Sequence, residues 1–283
     1  MKKRNKIFSL FGVPFLSIIL FASCSNEQSE VSTNAEDLSE VAAELRALGF
    51  NTDNLFASTL QGKDGFVVEG DIFLTREQIA GMSPAISVDN GNVPNTEHYR
   101  TNNLVSTPRT ITVYMDSEFN ADGQAAFDEA LARYNALALD ITFVRATSAG
   151  ADIDILAERL GRVPGGGIIL GQSAGFPDAS GNPATPIILN SQIYVPKRGG
   201  LPADVVTVIA HEIGHAIGFR HTDYFNRSYS CGQGGNEGDA GVGAVYIPGT
   251  PSGPEAGSYM LSCSNGTDRP FTSGDQTALT TVY

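Results

Sequence analysis

His211-Glu212-Ile213-Gly214-His215-Ala216-Ile217-Gly218-Phe219-Arg220-His221 gathers three of the chain's four histidines into one short stretch. The residues before it, from Ala203 to Ile217, carry Val205, Val206, Val208, Ile209, Ile213 and Ile217. Apolar nearly all round, this segment is expected as a helix buried at the centre of a domain. Residues four apart lie one above the other on a helix, so His211 and His215 can reach one ion from the same face. Gly218 can take a left-handed conformation that ends the helix, and the reversal lets His221 supply a third ligand. Glu212 follows a ligand directly, where its carboxylate reaches a water on the ion rather than the ion itself. Three neutral imidazoles leave one position for that water, whose pKa a zinc ion lowers towards about 7. Glu212 is then the candidate general base. The bland alternatives are histidines satisfied by backbone carbonyls, or a metal site without catalysis.

Upstream, Thr110–Met115 alternates as a strand, and Asn120 can cap a helix carrying Phe127, Ala130, Leu131, Tyr134 and Ala138. Ile141–Arg145, Asp152–Leu156 and Pro186–Asn190 read as further strands, and Ser273-Gly274-Asp275-Gln276 reads as a capping box opening a final helix. Nearer the start, Ala35–Leu48 is amphipathic and stops at Gly49, and the strand-like run Phe66–Leu74 is interrupted by Gly70. Ser83–Thr107 is rich in Asn, Pro, Ser and Thr, and a boundary is expected near Arg100. The order of elements is that of an α+β protein.

Residues 1–23 pair a basic start with a broken apolar run ending in small residues, the pattern of a signal peptide. Phe21-Ala22-Ser23-Cys24 is similar to a bacterial lipobox, so Cys24 is the expected lipidation site of an exported lipoprotein, anchored to the outer membrane at its periplasmic or cell-surface face; an ordinary secretory signal is the alternative. Losing Lys2, Lys3, Arg4 and Lys6 with the leader takes the formal charge from −13 to −17. Without a Lys/Arg cluster to neutralise phosphates, nucleic-acid binding is set aside. Cys231 and Cys263 then remain, an even pair that in an exported chain reads as a disulfide, with two buried thiols as the alternative.

The extended motif resembles that of the metzincin metallopeptidases, and His-Glu-Ile-Gly-His with its surroundings is similar to the dual-action HEIGH metallopeptidase family, myxobacterial protease-like. The likeness runs from about Phe66 and takes in Val68-Glu69-Gly70-Asp71-Ile72, His221-Thr222-Asp223 and Phe271–Asp275. It implies a metzincin-like catalytic domain over residues 101–283: a twisted mixed sheet, a central active-site helix, a methionine turn and a C-terminal helix. A small N-terminal extension, a lipid-anchored tether and candidate pro-segment over residues 24–100, precedes it. It also implies one catalytic Zn²⁺ on His211, His215 and His221, with Glu212 as base in a zinc-dependent endopeptidase acting on extracellular or periplasmic polypeptides. Met260 in Ser258-Tyr259-Met260-Leu261-Ser262 is the candidate methionine turn; a core methionine is the alternative. Ser262 stands where some metzincins carry a metal-binding Tyr, so no tyrosine ligand is expected.

Leu170-Gly171-Gln172-Ser173-Ala174 resembles the edge strand above the metzincin cleft, whose main chain can pair with an extended substrate; a plain surface strand is the alternative. Glu69-Gly70-Asp71 resembles the aspartate-switch segment of astacin-type zymogens, making Asp71 the candidate zymogen switch, against a structural Asp in a turn. Asp223 could orient a ligand or simply serve a turn. Calcium at Asp178-Ala179-Ser180-Gly181-Asn182 has only turn chemistry behind it. A monomer is expected. A non-catalytic, zinc-containing surface lipoprotein that binds a partner is the second functional reading.

Overall fold

The computed structural model describes residues 35–82, 98–164, 166–238 and 241–283. Residues 1–23 and Cys24 lie outside them. Helix α1 (Ala35–Ala47) comes first, then strands β1 (Phe56–Leu60), β2 (Lys63–Val68) and β3 (Ile72–Thr75), and a short helix α2 (Arg76–Gly81). After β4 (Tyr99–Arg100) follow β5 (Arg109–Met115), α3 (Ala121–Asn135), β6 (Ile141–Arg145), β7 (Ile153–Glu158), β8 (Gly171–Ser173), β9 (Ile187–Asn190) and α4 (Ser191–Tyr194). The final part holds α5 (Val205–Ile217), α6 (Ser228–Cys231), β10 (Val245–Tyr246) and α7 (Ser273–Val282).

Eight strands form one mixed sheet in the order β1-β2-β3-β8-β9-β7-β5-β6. The half from β9 to β6 is parallel throughout, and β5 and β7 alternate as the sequence pattern requires, with Ile111, Val113, Ile153 and Ile155 buried. Against them pack α3 and α5. Every residue of α5 except Val206 is buried, and Ile209, Ile213 and Ile217 have no exposed surface. Each such side chain contributes about 1.5–3 kcal/mol relative to leaving it in water. Tyr134 of α3 donates its hydroxyl to Ala210 O (2.7 Å), which pins the two helices at one point of their seam.

Two readings change. β1–β3, which precede Arg100, continue the same sheet. Phe66–Leu74 folds back at Glu69-Gly70, both at positive φ (58° and 95°), so one apparent run becomes the antiparallel pair β2–β3. Leu60 of β1 with Val67 and Phe73 of this hairpin join Leu160, Ile169 and Ile188 in one apolar cluster, which is why the seam closes. The second change is local. The cap of α7 is Thr272 rather than Ser273, with Asp275 as its reciprocal partner. Asp275 also accepts from Ser258 Oγ (2.7 Å), and this second contact fixes the register.

Cys231 and Cys263 form a disulfide across a separation of 32 residues, joining α6 to the loop after Met260. A loop of that length stabilises the fold by about 3–4 kcal/mol on the chain-entropy model. Cys231→Ser with Cys263→Ser should lower the denaturation free energy by about that amount. An unchanged urea midpoint under non-reducing conditions would contradict it.

Candidate metal centre

Helix α5 puts His211 and His215 one turn apart, and Gly218 ends it at φ 112°. Its left-handed turn is hemmed in by Leu104, Thr101 and Asn103, so a side chain there is excluded by space as well as by conformation. The chain reverses, and His221 returns to the same point. His215 Nε2 lies 3.0 Å from His211 Nε2 and 3.1 Å from His221 Nε2.

The far side of each ring fixes its tautomer. His211 Nδ1–H donates to Tyr259 O (2.9 Å), His215 Nδ1–H to Phe219 O (2.8 Å) and His221 Nδ1–H to a Glu237 carboxylate oxygen (2.6 Å). Carbonyl and carboxylate oxygens only accept, so a proton sits on each Nδ1, and it is Nε2 that each ring turns inward. Against burial, Glu237 and Asp71 raise the His221 imidazole well above its ordinary range, so a cation bound among the rings would displace its Nε2 proton. An imidazole triad with occupied Nδ1 positions suits a divalent transition metal. The residues fit the metal that the motif implies. Burial, then His211 and His221, push the His215 imidazole well below its ordinary range, which keeps it neutral and ligand-ready.

Tyr259 and Met260, in the segment expected to form a methionine turn, make contact with the histidine stretch. Tyr259 O receives the His211 proton, and Met260 O accepts from Thr222 N (2.9 Å), next to His221. A Cβ on Gly214 would come within 2.5 Å of Met260 Sδ, so the glycine of His-Glu-Ile-Gly-His is where the helix backbone rests on the methionine. Ser262 donates to Asp223 (2.7 Å) rather than facing the rings. Asp223 itself holds Ser230 and Ser262 and touches no imidazole. The residue that orients His221 is Glu237, which sequence reading missed. It stands sixteen positions after His221 in a glycine-rich loop, a spacing with no regularity to reveal it. Asp178 accepts from Ser180 N, Asn182 N and Asn182 Nδ2, the pattern of a turn closed on its own carboxylate.

Glu212 is 2% exposed, and its Oε2 has no hydrogen-bond partner among the described residues. It lines a cleft of about 370 Å³ with His211, Asp71 and Leu170-Gly171. A Cβ on Gly171 would approach Glu212 Oε1 to 2.3 Å, so β8 passes the carboxylate at a distance only glycine permits. Burial, with Asp71 adding to it, raises the Glu212 carboxyl well above the ordinary range.

Asp71 joins the three rings. Its Oδ2 lies 3.1 Å from His221 Nε2 and 3.6 Å from His211 Nε2, and Oδ1 lies 4.0 Å from His215 Nε2. Burial opposes its ionisation, yet His221 and His211 outweigh it and hold the carboxyl well below the usual range. The turn that presents it is anchored by Glu69, buried against Arg220 Nη2 (3.0 and 3.1 Å), while Arg227 donates to Glu69 O. Strand β8 is not an exposed edge. It lies between β9 and β3, with Ser173 N donating to Asp71 O (2.8 Å). The chain's own N-terminal segment therefore covers the strand expected to receive a substrate.

Three substitutions probe this arrangement. Gly171→Ala should displace the Glu212 side chain and Gly214→Ala should lift α5 off Met260, each lowering the thermal midpoint by several degrees. Glu237→Gln should weaken metal retention about 10–100-fold, read by competition with a chelator. Retention at the parent level would remove Glu237 from the centre.

Among curated proteins the chain has no match. Two solved structures of myroilysin are similar to it. One is 14% identical, covering 64% of this chain and 86% of that one with a TM-score of 0.39; the other is 15% identical, covering 66% and 98% with a TM-score of 0.40. The model of the dual-action HEIGH metallopeptidases matches residues 66–283, which span the Asp71 turn, β8, the histidine helix and the turn at Met260. By that match over most of its length, the chain belongs to the dual-action HEIGH metallopeptidase family.

Proposed function

We propose that this metallopeptidase is a zinc-dependent endopeptidase whose general base is Glu212, and that the conformation described is its latent form. The observation that carries the reading is the convergence of three Nε2 atoms, each on a ring whose Nδ1 is held by an acceptor. His211, His215 and His221 would hold the ion. A bound zinc supplies a Lewis acid that polarises a carbonyl and brings the pKa of water towards about 7.

The chain's own residues supply the rest. Glu212, buried beside the rings and without a competing hydrogen bond among the described residues, takes the proton of the attacking water and returns it to the leaving amine. Proximity to a divalent cation favours its ionised form, against the effect of burial. Tyr259 O and Glu237 keep His211 and His221 turned inward through the cycle. The only histidine outside the motif, His98, is 2% exposed and bonded to Asp275 (2.9 Å), so it takes no part at the cleft.

Latency rests on two contacts made by one segment. Asp71 puts a carboxylate against the three imidazoles, where it competes with water, and β3 occupies the main chain of β8. Opening both frees the cleft for an extended polypeptide. The leader and Cys24 support an exported, lipid-anchored protein with extracellular or periplasmic substrates. Residues 24–100 are the candidate pro-segment.

Asp71→Ala should convert the full chain to a form that cleaves casein without N-terminal trimming and loses activity to chelator. Adding Glu212→Ala should reduce turnover by at least about a hundredfold. An Asp71→Ala chain that stays latent would dismiss the switch, and chelator-insensitive cleavage would dismiss the zinc reading.

A further inference from the structure

The cleft beside Glu212 extends along α5 towards its N-terminus. Thr207 and Val208 precede His211 and Glu212 by four residues, just over one turn and about 6 Å along the axis. There the cleft is lined by Thr207, Val208, Ser262, Cys263, Ser264 and Arg269. Arg269 is 6% exposed and held by its backbone, its N–H donating to Thr207 Oγ1 (2.6 Å).

Its guanidinium is short of partners. Nη2 donates to Cys263 O (3.3 Å), and Nε has no acceptor among the described residues. Other arginines differ. Buried Arg220 pairs with Glu69, and half-buried Arg133 and Arg227 with Asp268 and Glu237, whereas no carboxylate pairs with Arg269 among the described residues. Asp204, Asp223 and Asp275 favour its charged form from a distance, while each accepts hydrogen bonds elsewhere: from Ser264, from Ser230 and Ser262, and from Ser258 and His98. Burial outweighs them and pushes the Arg269 guanidinium down from its ordinary pKa. A buried cation facing a cleft with no carboxylate bonded to it favours an incoming anion.

We propose that Arg269 forms the floor of a substrate subsite beside Glu212 that takes a peptide carboxylate, chiefly the side chain of an acidic residue next to the cleaved bond. The subsite rests on the peptidase reading for its place in the reaction, but not for its affinity. Thr207 holds Arg269 against the helix that carries Glu212, so the distance from carboxylate to scissile bond is set by rigid backbone. Acidic residues should therefore be selected at one fixed position.

The test uses the full Asp71→Ala chain and matched peptides with Glu or Gln scanned across the cleaved region, each with a free or amidated C-terminus. At one position Glu should exceed Gln about tenfold or more in kcat/KM. Arg269→Gln should bring that ratio to near one, and Arg269→Lys should retain part of it. In the inert Asp71→Ala, Glu212→Gln chain, fluorescence anisotropy should show the same Glu preference in binding. A preference that follows only the free C-terminus would overturn the side-chain assignment in favour of a terminal carboxylate. Cleavage or binding that treats Glu and Gln alike, with Arg269 intact, would overturn the subsite whether or not the Arg269 variants fold. Binding that prefers Glu without cleavage of any peptide would instead overturn the peptidase reading, leaving the carboxylate site standing.

Discussion

Three imidazole Nε2 atoms turned towards one point inside a protein, with His215 about 3 Å from each of the other two, cannot be held there by each other. A bound cation would tie them together, acceptors behind them hold the rings in place, and much of the surrounding structure serves that end. Helix α5 is buried because it must carry two of the rings at fixed height, and Gly218 is left-handed because the third must return from beyond the helix end. Tyr259 O, Phe219 O and the Glu237 carboxylate each take one Nδ1 proton, so the rings cannot rotate without leaving a buried donor unsatisfied.

The same constraint explains features that look unrelated. Gly214 has no side chain because Met260 supports the helix at that point, and Gly171 has none because the Glu212 carboxylate lies over it. The disulfide between Cys231 and Cys263 ties the loop after Met260 to α6, and both cysteines line the cleft. Buried ion pairs from Arg220 and Arg227 to Glu69 and Glu237 join the Asp71 turn to the support of His221. The turn that approaches the rings and the carboxylate that orients one of them thus share a single charged network. Loosening one would be felt by the other.

Much of the centre was legible in order along the chain. The three histidines, Glu212 and Gly218 fall at spacings set by helical geometry, which is local and periodic. Met260 and the two cysteines were readable by type and chain order. The α+β class, the central helix and several of the strands followed from apolar patterns, which report burial directly. Where the reading missed, the decisive contact was distant. Thr272 displaced Ser273 as a cap because Asp275 is also held by Ser258, and β8 proved interior because β3, about a hundred residues earlier, lies beside it.

By itself the sequence determined that this helix can present two imidazoles and one carboxylate, and that a glycine after it can bring a third, because those relations lie within eleven residues and need only backbone geometry. Only the tertiary structure decided which acceptors hold the rings, that Asp71 faces them, that β3 covers β8 and that Arg269 stands in the cleft with no carboxylate bonded to it among the described residues. Those are meetings between segments with no common period. They depend on how a sheet closes and on where charge remains unpaired once it has closed.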